Sequence, residues 1–199
     1  MDFGTWPRLL VVDVEGNGAT PPEAVEVALL PFADGQPDPQ AVFSTLIQPV
    51  TPISRFVTRI HGITNDDVAH APRWDEAGPK VAARLGTAWI AAHSAATEYS
   101  VLRRHLPHWQ PTGVLDTLRL ARRAFPTADG YSLDALLQHI GIDTSGIDGQ
   151  RHRAAFDAHL TALLLREIAA TYPSWDALIA DGVPPGKPGT PTHEGDTLW

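Results

Sequence analysis

Residues 9–12 read Leu-Leu-Val-Val, and the run ends in Asp13-Val14-Glu15. A strand that is apolar at consecutive positions has no solvent face, so it must lie inside a sheet covered on both sides. That requirement constrains the fold more than any other feature of the chain, and it points to a layered α/β architecture. The same strand ends in two carboxylates. Side chains alternate along a strand, so Asp13 and Glu15 share one face while Val14 takes the other. Two acids on one face repel each other. Either they are solvated where the strand runs into a loop, or a divalent cation neutralises them, and oxygen-only ligands suit Mg²⁺ or Mn²⁺. The pair alone does not choose between these.

The elements that follow give the layers. Val25–Phe32 reads as a second strand after the Pro21-Pro22 break, and Val42–Gln48 as a third before Pro49, with Ala33-Asp34-Gly35 as a turn. Three such strands make an antiparallel meander. The pattern then alternates: a helix over Trp74–Leu85, a short buried strand over Ala88–Ala92, a helix over Glu98–Leu106 and a short strand over Gly113–Leu115 that ends at Asp116. Helices follow over Thr117–Phe125, stopped by Pro126, and over Leu133–Ile140, capped by Ser132 and ended by Gly141. The longest helix is Ala154–Ala170, with Phe156, Leu160, Leu163 and Leu164 at core spacing. The expected fold is α/β: a mixed sheet, antiparallel in its first three strands and then built of alternating helices and parallel strands, flanked by helices. One domain is expected over 1–180, followed by a Pro/Gly-rich C-terminal tail over 181–199.

Composition narrows the function classes. A chain of 199 residues suffices for one domain with a substantial core. The absence of cysteine excludes disulfides and thiolate metal sites. No apolar run approaches a membrane span, and Met1-Asp2-Phe3-Gly4 has neither the basic start nor the apolar core of a signal peptide, so a cytoplasmic location without membrane contact is expected. The net charge of -8 argues against broad electrostatic adhesion to nucleic acid. Acids that serve as metal ligands would not count as free surface charge.

Two later segments offer partners for the first acidic pair. His93-Ser94-Ala95-Ala96-Thr97-Glu98 places an acid at a strand-to-helix junction, where open α/β sheets gather ligands. A role for Glu98 at the positive end of its helix fits equally. In His152-Arg153-Ala154-Ala155-Phe156-Asp157, five helical residues turn about 500°, leaving the two side chains about 140° apart. His152 must therefore sit in the loop before the helix, with Asp157 in its first turns. A loop imidazole beside a helix-borne carboxylate suits a general base near a metal-activated water. Asp116 is expected to cap the next helix and is left out of this set.

Taken in order, Asp-x-Glu on the first strand, an acid after a later strand and His-x₄-Asp opening a late helix resemble the DEDDh branch of the DnaQ-like 3′–5′ exonucleases. The resemblance covers roughly residues 8–170. It takes in Ile60-His61-Gly62-Ile63-Thr64, Ala92-His93-Ser94-Ala95, Asp116-Thr117-Leu118-Arg119-Leu120-Ala121-Arg122-Arg123 and His152-Arg153-Ala154. The pattern is nearest to exodeoxyribonuclease X and the polymerase III proofreading subunit. It implies a ribonuclease H-like fold and two divalent cations, Mg²⁺ or Mn²⁺. Asp13, Glu15 and Asp157 would hold one cation, Asp13 would bridge to the second, and Glu98 would support the second where the family has an aspartate. His152 would take a proton from the attacking water. The implied reaction removes nucleoside 5′-monophosphates from the 3′ ends of DNA, single-stranded or at ends. Gly16, Asn17, Gly18, His61, His93 and Ser94 would contact the substrate.

The chain departs from the family pattern in two segments, around the third acid and after Glu15, where the usual Thr-Thr-Gly-like stretch reads Gly16-Asn17-Gly18. Ser94 and Thr97 replace the usual Asn and Phe, and Glu98 is one methylene longer than aspartate. That methylene moves a carboxylate by about 1 Å, which Mn²⁺ should tolerate better than Mg²⁺ with its near-ideal octahedron. After Gly16-Asn17-Gly18, whose glycines permit close backbone approach, Ala19 and Thr20 offer no large wedge for a terminal base. Two alternatives share these residues: a 3′–5′ exoribonuclease or oligoribonuclease, and a catalytically weakened nucleic-acid-binding or polymerase-associated module. Arg103, Arg104, Arg119, Arg122 and Arg123 are either phosphate contacts or a solvated face. The partners expected are nucleic-acid 3′ ends, a second copy of the chain as a homodimer, and, through the tail ending in Leu198-Trp199, a polymerase or sliding clamp.

Overall fold

Strand β1 (Leu9–Gly16) lies inside a six-stranded mixed sheet in the computed structural model, which describes residues 2–190. β2 (Ala24–Ala33) runs antiparallel to β1, and β3 (Gln36–Pro37) and β4 (Phe43–Leu46) both pair antiparallel with β2. Helices α1 (Arg55–His61), α2 (Asn65–Val68) and α3 (Trp74–Leu85) follow. β5 (Trp89–Ala92) returns parallel to β1, and α4 (Ala95–His105) leads to β6 (Val114–Asp116), parallel to β5. Helices α5 (Thr117–Ala124), α6 (Leu133–His139), α7 (Ala154–Ala170) and α8 (Trp175–Gly182) complete the described chain.

The alternation of β1 explains the layering. Leu9 and Val11 join Ala28, Leu30, Ala91 and Leu115 in a core beneath α5–α8, while Leu10 and Val12 join Val27, Leu29, Ile90 and Val114 in a second core beneath α3 and α4. By the same parity Asp13 and Glu15 belong to the α7 side of the sheet. The antiparallel meander and the later parallel strands match the sequence pattern, and α3 and α7 have the expected bounds.

Other elements differ. α4 begins at Ala95 rather than at Glu98, because Ser94 adopts a left-handed conformation (φ 74°) that turns the chain directly from β5 into the helix. Along α7 the expected Leu160 and Leu164 are buried, together with Ala154, Ala158, Thr161, Ala162, Leu165 and Ile168, whereas Phe156 and Leu163 are only half-buried. The helix is apolar nearly all round, so more than one stripe satisfies three-four spacing and the packing partner chooses among them. Helices α1, α2 and α8 fall where the sequence pattern gave no helix; each is short and is started by a side-chain cap, from Ser54, Thr64 and Ser174 respectively. Beyond α8 the chain runs beside β6, where Val114 N donates to Pro188 O at 3.0 Å. Residues 191–199, with the expected Leu198-Trp199 segment, lie outside the described residues. Among the described residues no helix is long and apolar enough to cross a membrane.

Candidate active site

The parallel strands β1 and β5 end side by side, and the acids gather at those ends, where an open α/β sheet leaves a crevice. Asp13 and Glu15 project from β1 toward α7, Asp157 stands in the first turn of α7, and Glu98 stands in the first turn of α4. Burial, with repulsion from neighbouring acids at Asp13, Glu15 and Glu98, shows in their acidities. Burial, then the charges of Glu98, Glu15 and Asp157, holds Asp13 well above the usual carboxylate range. Burial, then Asp157 and Glu26, pushes Glu15 to about 7. Burial is the main cause that raises Glu98 to about 8, with Asp116 and Glu15 adding to it. Asp157 is also raised by burial, with Arg151 opposing the shift.

His152 occupies the loop ahead of α7 in a left-handed conformation (φ 60°), and its side chain is about half exposed. Its backbone N donates to Asp157 Oδ2 at 3.1 Å, and its Nδ1 stands 3.9 Å from the same oxygen. One ligand atom from each of Glu15, His152 and Asp157 lies within 4.8 Å of the other two. Glu98 Oε2 is buried without a hydrogen-bond partner among the described residues. Clustered carboxylates, an imidazole and an orphaned carboxylate oxygen fit a hard divalent cation such as Mg²⁺ or Mn²⁺, which would favour the charged form of these buried acids and offset their mutual repulsion.

Three residues absent from the sequence-based set shape this cluster. Glu26, opposite Glu15 on β2, is buried and accepts from Arg153 Nε at 3.0 Å, from Arg153 Nη2 at 2.8 Å and from Ala154 N at 2.9 Å. It therefore caps α7 and ties down the loop that carries His152. It is the one charged residue in the apolar run Val25–Phe32, which is a readable signal. Arg151 pairs with Asp157 and with Asp134 Oδ1 (2.7 Å), setting a fixed positive charge against the acids.

The expected substrate residues fall into two groups. Gly16, Gly18 and His61 line a cavity of about 250 Å³ beside Glu15, together with Val57, Ile60 and Thr97. His61 Nδ1 accepts from Ile63 N at 3.0 Å, so the proton sits on Nε2, which donates to Gly16 O at 3.3 Å; burial lowers its pKa and keeps the ring neutral. Gly18 has φ 78°, and a Cβ there would lie 2.6 Å from Ser54 Oγ, so the close approach that requires glycine is to the start of α1.

The second group is engaged within the fold. Asn17 is fully buried and clasps the β1–β2 loop: its Nδ2 donates to Thr51 O, and its Oδ1 accepts from Ala19 N and Glu23 N. His93 has Nδ1 at 3.0 Å from Thr117 Oγ1 and Nε2 at 2.9 Å from Tyr131 O. Ser94 N donates to Asp116 Oδ1, the same oxygen that caps α5, as expected for Asp116. Arg103, Arg104 and Arg123 also bond within the fold, to Pro107 and Trp109 carbonyls, to Pro22 O and to Asp181.

Residues 10–165 match the protein family described as Exonuclease. Exonuclease X, solved in complex with 5′ overhanging duplex DNA, superposes with a TM-score of 0.72 at 30% identity, over 85% of this chain and 96% of that one. A DNA polymerase III subunit epsilon-like protein of Rhodobacter capsulatus is 35% identical over 159 residues, which is 77% of this chain. The DNA polymerase III subunit epsilon of Aquifex aeolicus is 27% identical over 80% of this chain and 79% of its own length. This chain spans 22% of the length of the Rhodobacter protein and as little as 8% of other matched relatives.

Proposed function

This chain belongs to the exonuclease family, and from that membership we propose that it is a metal-dependent 3′–5′ exonuclease that removes nucleoside 5′-monophosphates from DNA, single-stranded or at ends. The observation that carries the reading is the convergence of Asp13, Glu15, Glu98 and Asp157 with His152 at the ends of parallel strands. Asp13, Glu15 and Asp157 would hold one divalent cation, and Asp13 with Glu98 a second. When bound, such cations neutralise charge at the scissile phosphate and make the attacking water more acidic.

The remaining roles belong to the chain's own groups. His152, half exposed and on a loop, accepts the proton of the attacking water. Asp157 and Glu26 hold that loop from either side of the histidine. The terminal nucleotide occupies the cavity beside Glu15. Its Val57 and Ile60 walls take apolar surface, and Thr97 leaves room that the usual phenylalanine would fill. The longer Glu98 reaches toward Asp13 from α4, which favours the more permissive Mn²⁺ over Mg²⁺.

The test is incubation of a 5′-labelled oligonucleotide with Mg²⁺ or Mn²⁺. Stepwise shortening is expected, and Asp13→Ala should abolish it without loss of fold. Intact substrate after exposure to well-folded protein with either ion would refute the reading. Matched DNA and RNA oligonucleotides determine the sugar preference.

A further inference from the structure

Among the described residues, the large apolar side chains that stand open to solvent are Val50, Phe56 and Ile60. Two of these lie on α1 one turn apart, and Phe56 is 72% exposed. At i and i+4 on a helix, side chains are neighbours, about 6 Å apart at Cβ. Phe56 therefore extends outward from Ile60, which itself lines the cavity beside Glu15. The adjoining stripe of the same helix carries Arg55 and Arg59, also one turn apart and exposed. Neither pairs with an acid among the described residues, and α1 contains no acid of its own. An apolar stripe and a cationic stripe thus run side by side away from the candidate active site, on a chain whose overall charge is -8.

We propose that this outer face of α1 is a docking platform for the single-stranded segment that leads to the 3′ end, with Phe56 stacking on an upstream base and Arg55 and Arg59 contacting its phosphates. The platform rests on the exonuclease reading for its orientation, because the cavity that Ile60 lines is taken to hold the terminal nucleotide. Single-stranded nucleic acid is the occupant that both stripes fit. Every base offers a π-face to an aromatic ring, and the backbone offers regularly spaced negative charge to the arginines. A protein partner would use the apolar stripe but has no requirement for the adjacent cations. The β1–β2 loop itself meets α1 through Gly18, whose neighbours are Ser54 and Val57, and Ala19 and Thr20 after it bring no large side chain of their own.

Binding is measured by fluorescence anisotropy with a labelled single-stranded oligonucleotide whose 3′ end carries hydrolysis-resistant phosphorothioates, in Mg²⁺. Phe56→Ala should weaken binding about tenfold, and Phe56→Trp should restore it. Arg55→Gln and Arg59→Gln should each reduce the slope of log Kd against log salt by about 0.7. Because Phe56 is exposed, its truncation leaves the core intact, and a change in affinity reports on the surface. Unchanged affinity in Phe56→Ala overturns the platform, as does an absence of measurable binding by the unsubstituted protein. Failure to shorten a normal oligonucleotide refutes the exonuclease reading separately, since the anisotropy comparison involves no turnover.

Discussion

Replacing Glu26 tests whether the loop that carries His152 is held by a buried carboxylate. Glu26→Ala removes three bonds of 2.8–3.0 Å. They are not equal in consequence. The Arg153 side chain is 40% exposed and can rehydrate, so its lost pair costs only about 0–1 kcal/mol. The Ala154 N–H is fully buried at the start of α7 and is left without an acceptor, at a cost of about 1–3 kcal/mol. Loss of a negative charge at that helix terminus adds about 0.3–1 kcal/mol. Removing Glu26 also relieves its repulsion of Glu15, which offsets part of this. The net expectation for Glu26→Ala is about 2–3 kcal/mol. Glu26→Gln keeps an oxygen for the buried N–H and should cost about 1 kcal/mol. Urea unfolding in EDTA, compared through midpoints at a common m-value, gives both numbers. Oligonucleotide shortening gives a second readout: kcat should fall with little change in KM, because the histidine loop and not the nucleotide cavity is loosened. A Glu26→Ala cost below about 0.5 kcal/mol would refute the reasoning. So would equal costs for the two variants, since the difference between them isolates the buried N–H.

Three further outcomes are expected. His152→Ala should lower kcat about 100- to 10,000-fold with unchanged circular dichroism, and near-normal turnover would remove it as the proton acceptor. In EDTA the fold should lose stability as pH rises from about 4.5 to about 8. Unfolded glutamates lose their protons near 4.5, whereas Glu15 and Glu98 keep theirs to about 7 and about 8, so over this window the unfolded state binds fewer protons. Thermal melts should show that fall and its disappearance with saturating Mn²⁺; a metal-free protein that is equally stable across the window contradicts the acid cluster. Gly18→Ala should destabilise by about 1–2 kcal/mol, from the left-handed backbone and the contact with Ser54, and an unaltered melting temperature would show that the loop relaxes away from α1.

Several features were legible because they depend on neighbours in sequence. The two-residue period of a strand set Asp13 and Glu15 on one face, and the angular step of a helix placed His152 in the loop with Asp157 in the first turn. Asp116 reads as a cap from its position alone. That the side chains of Asn17 and His93 are engaged by Thr51, Thr117 and Tyr131 was not legible, because those partners are remote along the chain. Glu26 and Arg153 are separated by 127 positions, so no local pattern announces their pairing. The buried stripe of α7 was ambiguous for a related reason: an almost wholly apolar helix carries more than one acceptable face.

By itself the sequence determined the layered mixed sheet, the family pattern and the five residues proposed to hold metal and move the proton. The sheet follows from residue type and a periodicity of two or about 3.6, whereas the five-residue set follows from the order of motifs that resembles the exonuclease family. Tertiary structure alone decided how those acids perturb one another, which polar side chains are engaged within the fold, and that Phe56 stands open beside the candidate site. Acidity, satisfaction and exposure depend on distances and desolvation between segments far apart in the chain, and these arise only when the sheet and its helices close around them.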